Sequence, residues 1–255
     1  MERIFLDSYR RIEMEHWWFR VRSMIITDQL KDLFGQKPTM QILNVGAATG
    51  ASTEMLQGFG KVSSLEYDQP CVDFCRDVLK LDVIQGSITS LPYADACFDL
   101  VCAFDVVEHV EDDQKAVDEL LRVCKPGGIV YVTVPAFMSL WSDHDVVNLH
   151  YRRYRKARLL ALFSQGNLRR TTYFNTLLFP PIWLARRLGG WLKPRDTSPK
   201  PDNEWMQHPI TNFLFGFIFS MERPLLRLLN MPFGVSLAVI WRKEDKKILK
   251  VAHER

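Results

Sequence analysis

Three polar groupings in this sequence have residue types and spacings suited to chemistry. The first is "SDHDVVNLH" (142–150), where His144 stands between Asp143 and Asp145 and His150 follows. An imidazole beside carboxylates suits proton transfer near neutral pH, because histidine titrates there and a carboxylate fixes its tautomer. The same triplet also suits a solvated loop with a helix cap. The second is "DVVEHV" (105–110), with Asp105, Glu108 and His109. Oxygen and imidazole donors at that spacing are reasonable ligands for a hard cation; without a metal, His109 reads as a polar wall or helix-start group. The third is "QILNVGAATGASTEML" (41–56), an apolar run, a turn holding Gly46 and Gly50, and then a helical pattern. Glycine there lets the backbone approach a ligand closely, with a helix N-terminus nearby.

The elements that must position these groups follow from periodicity. Apolar runs at 41–45, 62–67, 82–86, 98–107 and 128–135 alternate with amphipathic helical stretches after a helical lead-in that ends near Phe34. That alternation predicts a parallel sheet with helices on both faces, a doubly wound fold whose ligands lie at the carboxyl ends of the strands. Asp68 and Pro70 suit a helix start, and "CKPGG" (124–128) suits the end of the helix "DDQKAVDELLRV" and the turn into the next strand. Beyond Tyr151, "YRRYRKARLLALF" reads as a basic helix, "NLRRTTYF" and "VSLAVIWRK" as two more strands, completing a mostly parallel seven-stranded sheet. The segment between them is longer than an ordinary connection. It holds "PPIWLARRLGGWL", a polar Pro-rich loop "KPRDTSPKPDNEW", and an apolar helical stretch from Ile210 to Leu228. The expected organisation is lead or lid helices at 1–40, a binding domain at 41–175 and 235–245, and a helical insertion at 176–234 before the last strand.

Composition sets the outer limits. A chain of 255 residues, 47% hydrophobic and 25% charged, can bury a full core, and its formal net charge of +3 demands neither nucleic acid nor membrane as partner. The five cysteines form no CxxC pair and read as reduced core thiols of a cytosolic protein. The opening "MERIFLDSYRRIEMEHWW" lacks an apolar signal region, and "FLFGFIFSM" (213–221) is roughly half the ~20 residues that cross a bilayer. A cytoplasmic location is expected, with peripheral membrane contact through 176–234 as one option.

A dinucleotide turn of the GxGxxG form counted from Gly46 requires glycine where this chain has Ala48 and Ala51, which disfavours an NAD(P)-dependent oxidoreductase. The spacing of Gly46, Ala48 and Gly50 instead resembles motif I of class I S-adenosylmethionine-dependent methyltransferases, usually "VLDVGCGTG". The ordered set "VSSLEYD", "GSITSLPYADACFDLV", "FDVVEHV" and "KPGGIVYVTVP" resembles the same family from Gln41 to Pro135. The resemblance implies a Rossmann-like methyltransferase fold, S-adenosyl-L-methionine as cofactor and S-adenosyl-L-homocysteine as product. It places Asn44, Gly46, Ala47, Ala48 and Gly50 at the cofactor turn, and Glu66 on the ribose hydroxyls, with Asp68 the competing choice. Ser87 stands where the residue contacting the adenine edge is usually aspartate, and Tyr67, Ile88, Phe104 and Asp105 complete the expected contacts. In some O-methyltransferases an acidic-x-x-Glu-His motif at the place of 105–109 binds a divalent ion, and in other relatives it binds none, so a metal stays open.

"EHWWFRVRSMII" (15–26) resembles the "HWWFRxRRxxI" entry segment of a branch found with glycan and lipid biosynthesis. A cationic partner for the cofactor's carboxylate is expected from Arg22, then Arg20. Trp17, Trp18 and Phe19 read equally as a lid and as a helix anchor. The expected reaction is methyl transfer, favouring oxygen, with His144, His109 and Asp145 as the acid/base set and His150 beside them. Arginines 152, 153, 155, 158, 186 and 187, with Lys156, next to apolar helices suit an amphiphile carrying phosphate or carboxylate, such as a lipid-linked glycan, or an anionic membrane. They equally suit solvated helix faces. RNA is disfavoured by the modest charge, and the oligomeric state is left open. The non-enzymatic alternative is a cofactor-fold scaffold whose insertion docks on a membrane or partner.

Overall fold

A computed structural model describes residues 2–35, 39–164, 166–192 and 208–244. Its centre is one seven-stranded sheet of β1 (Met40–Val45), β2 (Gly60–Glu66), β3 (Val83–Gln85), β4 (Phe98–Phe104), β5 (Cys124–Pro135), β6 (Asn167–Phe174) and β7 (Ser236–Arg242). The spatial order is β3-β2-β1-β4-β5-β7-β6, with β7 antiparallel to both of its neighbours and the pairings from β3 across to β5 all parallel. Strand order reverses between β1 and β4, so their carboxyl ends open the crevice where such sheets take ligands. This is the doubly wound, mostly parallel seven-stranded α/β sheet that the sequence predicts.

Alternate residues explain why the strands read as continuous apolar runs. Leu43, Val45, Val101, Ala103, Val130 and Val132 pack on one face with helix α5 (Asp113–Val123). Ile42, Leu100, Cys102 and Tyr131 point to the other face and meet α2 (Trp17–Phe34), which follows α1 (Glu2–Glu15). A strand buried on both faces has no polar side, so its pattern is a run and not an alternation. Helices α3 (Ala51–Gln57) and α4 (Gln69–Asp73) follow β1 and β2, with Asp68 at the N-cap position of α4. Short α6 (Asp143–Val147) and α7 (Lys156–Leu160) follow β5.

The insertion forms α8 (Phe179–Leu192), α9 (Pro209–Ser220) and α10 (Glu222–Leu228). Phe219 and Leu226 join the same apolar cluster as Trp17, Ile25 and Leu30, so insertion and lead helix form one layer on the sheet. Asp28 of α2 ties that layer together through Arg223 and Arg227 of α10. The Pro-rich loop 193–205 lies outside the described residues.

Three local readings are corrected. The run 98–107 stops as a strand at Phe104, because Asp105, with a positive φ of 57°, turns the chain out of the sheet. "CKPGG" ends α5 as expected, with Cys124 at its C-cap, but it is already the first stretch of β5 and not a turn ahead of it, with Gly127 at a φ of 76°. The expected basic helix 151–163 is helical only over Lys156–Leu160. Tyr154 is instead buried, bridging Ala136, and Arg153 is buried against Asp145. All five cysteines are free, and Cys75, Cys102 and Cys124 are buried.

Candidate active site

The glycine turn follows from β1 running into the crevice. Gly46 has φ of 80°, and a Cβ there would stand 2.4 Å from Cγ2 of Val106. Only glycine lets the β1 and β4 exits approach this closely. Ala48 and Gly50 also have positive φ, 46° and 92°, so the turn keeps the shape of a three-glycine loop although its middle residue carries a methyl group. Glu66, at the end of β2, closes the turn from the side. Its Oε2 accepts from the Ala48 N–H at 2.8 Å, and its Oε1 accepts from the Tyr67 and Asp68 N–H groups at 2.7 and 3.0 Å. A carboxylate held by three amides is fixed in position, and of its roughly four lone-pair sites the one left on Oε2 stays open for a ribose hydroxyl.

Asn44 is fully buried, and its amide donates to Ser52 and Thr53 at 2.9 and 3.0 Å. It anchors the start of α3 beneath the turn, so its bearing on a ligand is through the backbone it holds. Ala47 is buried in the small cluster with Val72 and Cys75. Ser87 receives the Thr89 N–H in a tight local turn, Ile88 is buried in the core, and Tyr67 is exposed at the crevice edge.

The lead helices cover this crevice. Arg22 Nε lies 3.0 Å from Asp105 Oδ2, its Nη2 donates to the Phe104 carbonyl, and its guanidinium sits over the Trp18 ring at 4.9 Å. A cation thus stands at the end of β4, oriented by Trp18, Phe104 and Asp105. Arg20 is exposed, and Phe19 packs edge-on against Trp18 and His16. Trp17 is buried edge-on against Phe215 and Phe219, which makes it the anchor between α2 and α9.

Sequence reading missed the part played by α1. Arg10 donates to the Thr49 carbonyl at 3.1 Å and pairs with Glu54, while Thr49 donates its hydroxyl to Glu13. Burial pushes the Glu13 carboxyl up, and burial followed by the nearby Glu13 pushes the Tyr9 phenol up. The signal available in the sequence was the i, i+4 spacing of Tyr9 and Glu13, which puts both on one helix face.

The second half of the site lies where β4 and β5 end. Glu108 sits in a 3-10 turn, Val107–His109, fully buried with no hydrogen-bond partner for either carboxylate oxygen. Burial, then the neighbouring Asp105, pushes its pKa well above the usual carboxylate range. His109 opens to the surface on one side, while burial of its ring, then nearby His150, lowers its pKa to about 4. The His109 and His150 rings meet edge to face at 4.5 Å, with His144 at 6.2 Å from His150. One ligand atom each from Glu108, His109 and His150 lie within 4.8 Å of one another, a set that a divalent ion or a shared proton would bridge. Asp105 is not in it, because its carboxylate takes Arg22 and the Thr133 hydroxyl.

Asp145, expected to act on substrate, is fully buried. Its Oδ1 meets His150 Nδ1 at 2.9 Å, and Arg153 grips both oxygens at 2.7 and 2.9 Å. Against burial, the His150 hydrogen bond and the Arg153 charge hold this carboxyl well below its ordinary range. Both Asp145 oxygens are thus taken up by His150, Arg153 and the Ser142 N–H. The arginines read as a cationic surface are partly consumed in the same way, since Arg152 and Arg158 both pair with Asp113.

Residues 43–132, from β1 through most of β5, match the family model described as a methyltransferase domain. That stretch is similar to a methyltransferase domain. Among curated relatives, a probable S-adenosylmethionine-dependent methyltransferase of Mycolicibacterium smegmatis is 29% identical over 59% of this chain and 58% of its own length. A demethylmenaquinone methyltransferase of Renibacterium salmoninarum is 36% identical over 63% of each. The chain thus spans about three-fifths of the length of these relatives. Among solved structures, Haemonchus contortus phosphoethanolamine N-methyltransferase 2, in complex with S-adenosyl-L-methionine, superposes with a TM-score of 0.55 at 13% identity, covering 85% of this chain and 51% of that one. The [4+2]-cyclase SpnF superposes equally well, TM-score 0.55 at 18% identity over 86% and 80%. Methyltransferases and a cyclase thus share this fold, and chemistry resides in the site and not in the fold.

Proposed function

We propose that the protein transfers a methyl group from S-adenosyl-L-methionine to an oxygen of a small-molecule, glycan or lipid-linked acceptor. The observation that carries this reading is the Glu66 carboxylate, held by three backbone amides beside the Gly46–Gly50 turn. That arrangement suits a ribose diol next to a backbone with room for an amino-acid tail and no pyrophosphate. Arg22, aimed by Trp18 and Phe104, is the cation for the tail's carboxylate, which would exchange places with Asp105. The N-terminal Trp-Trp-Phe segment supports placing the chain in the branch associated with glycans and lipids.

When bound, the cofactor supplies an electrophilic methyl on a sulfonium. The chain's own task is then positioning, water exclusion and proton removal. His150, with Nδ1 committed to Asp145, presents Nε2 as the base for an acceptor hydroxyl. His109 and His144 line the same space, and the depressed His109 pKa keeps that ring neutral. Glu108 completes the wall as a buried carboxyl whose pKa is raised by burial, which favours its protonated form. Equilibrium titration tests the reading, with S-adenosylhomocysteine binding expected and NADH not.

A further inference from the structure

Helices α9 and α10 carry an unbroken apolar stripe that faces away from the core. Ile210, Phe213, Phe217, Met221, Leu225 and Leu228 recur at helical spacing, and Phe213 and Leu228 are 76% and 84% exposed. The inner side of α9 is occupied separately, by Phe215 and Phe219 against Trp17. Sequence spacing alone would assign such a helix to the core, yet its most apolar row is left in solvent. On α8, Trp183 and Leu188 are also exposed, and Arg187 lies over the Trp183 ring at 5.5 Å.

Charge decides between occupants. The described residues of the insertion hold Arg186, Arg187, Arg223 and Arg227 against one carboxylate, Glu222, which is buried. Arg223 and Arg227 reach Asp28 while their side chains remain 35% and 53% exposed. A second copy docking by the same face would bring like charges together, and no exposed carboxylate on these helices would offset them. An anionic lipid surface offers both an apolar layer for the stripe and phosphates for the guanidinium groups. No helix among the described residues is long and apolar enough to cross a membrane, so contact of this kind is peripheral.

We infer that α8, α9 and α10 dock the protein on an anionic bilayer, with the Ile210–Leu228 stripe seated among the acyl chains. This stands apart from the methyl-transfer reading and can fail without it. The test is flotation of the full chain with phosphatidylcholine vesicles that contain or lack phosphatidylglycerol, in low and raised salt. The expected result is binding that requires phosphatidylglycerol, weakens with salt, and falls by roughly tenfold or more in Phe213→Glu/Phe217→Glu. Both positions are exposed, so thermal midpoint and S-adenosylhomocysteine affinity serve as controls that the variant remains folded. Arg187→Glu, which leaves the stripe intact, should lose binding in part. Failure of wild type to float, equal binding to pure phosphatidylcholine, or unchanged flotation of the double phenylalanine variant would overturn the inference. So would a dimer in solution that the same variant turns into monomer, since the stripe would then join copies of the chain.

Discussion

His150 Nδ1 lies 2.9 Å from Asp145 Oδ1, on a buried carboxylate that Arg153 grips through both oxygens. The pair aims one ring nitrogen and leaves the other for an acceptor. Asp145→Asn should remove the tautomer control and lower the rate of S-adenosylhomocysteine formation by about 10²–10⁴. It should also destabilise the fold by about 3–5 kcal/mol, because Arg153 is left as an unpaired buried charge. Replacing both partners, Asp145→Leu with Arg153→Met, should recover most of that stability in denaturant melts without recovering the rate. Joint recovery of stability and rate would show the triad to be structural.

The turn makes opposite predictions at neighbouring positions. Gly46→Ala places a methyl 2.4 Å from Val106 Cγ2 at a φ of 80°, and should cost about 2–4 kcal/mol together with cofactor affinity. Ala48→Gly relieves a φ of 46° in an alanine, and should be neutral or stabilising by up to about 1 kcal/mol. Urea melts of the two variants check the contrast. Equal destabilisation would mean that the left-handed turn is not what the glycines serve.

His16 caps α2 by accepting the Trp18 N–H on Nδ1 at 3.3 Å, which only an unprotonated nitrogen can do. Burial, then the nearby His144, pushes its pKa down to about 4, from an unfolded value of about 6.5. The folded state therefore favours the neutral ring. Its contribution, on the order of 2–3 kcal/mol, is complete above pH ~6.5 and is lost as pH falls toward 4. Thermal midpoints of wild type should decline across that window, and His16→Asn, which keeps a capping acceptor that does not titrate, should decline less. Parallel curves would remove His16 from the acid response.

The sheet was legible because burial on both faces leaves an unmistakable mark, and β6, Asn167–Phe174, was read to the residue. The glycine turn and Glu66 were legible because backbone approach and an acceptor-only carboxylate limit the residue types. The acid/base group was half legible. Asp145 and His144 stand out in "DHD", but nothing local tells that Asp145 is buried under Arg153, eight residues later. The arginine run 152–158 misled for the same reason, since its partners, Asp113 and Asp145, lie on other elements. The contacts of α1 with Thr49 and Glu54 are long-range pairings that no periodicity records.

The proposed activity requires Glu66 to be the ribose-binding carboxylate of an S-adenosylmethionine site. Calorimetric titration of S-adenosylhomocysteine into wild type and Glu66→Ala, with NADH as control ligand, measures this directly. Saturable binding to wild type is predicted, with a loss of about 1–3 kcal/mol in Glu66→Ala and no binding of NADH. No affinity at millimolar ligand, or the same affinity in wild type and Glu66→Ala, would contradict it.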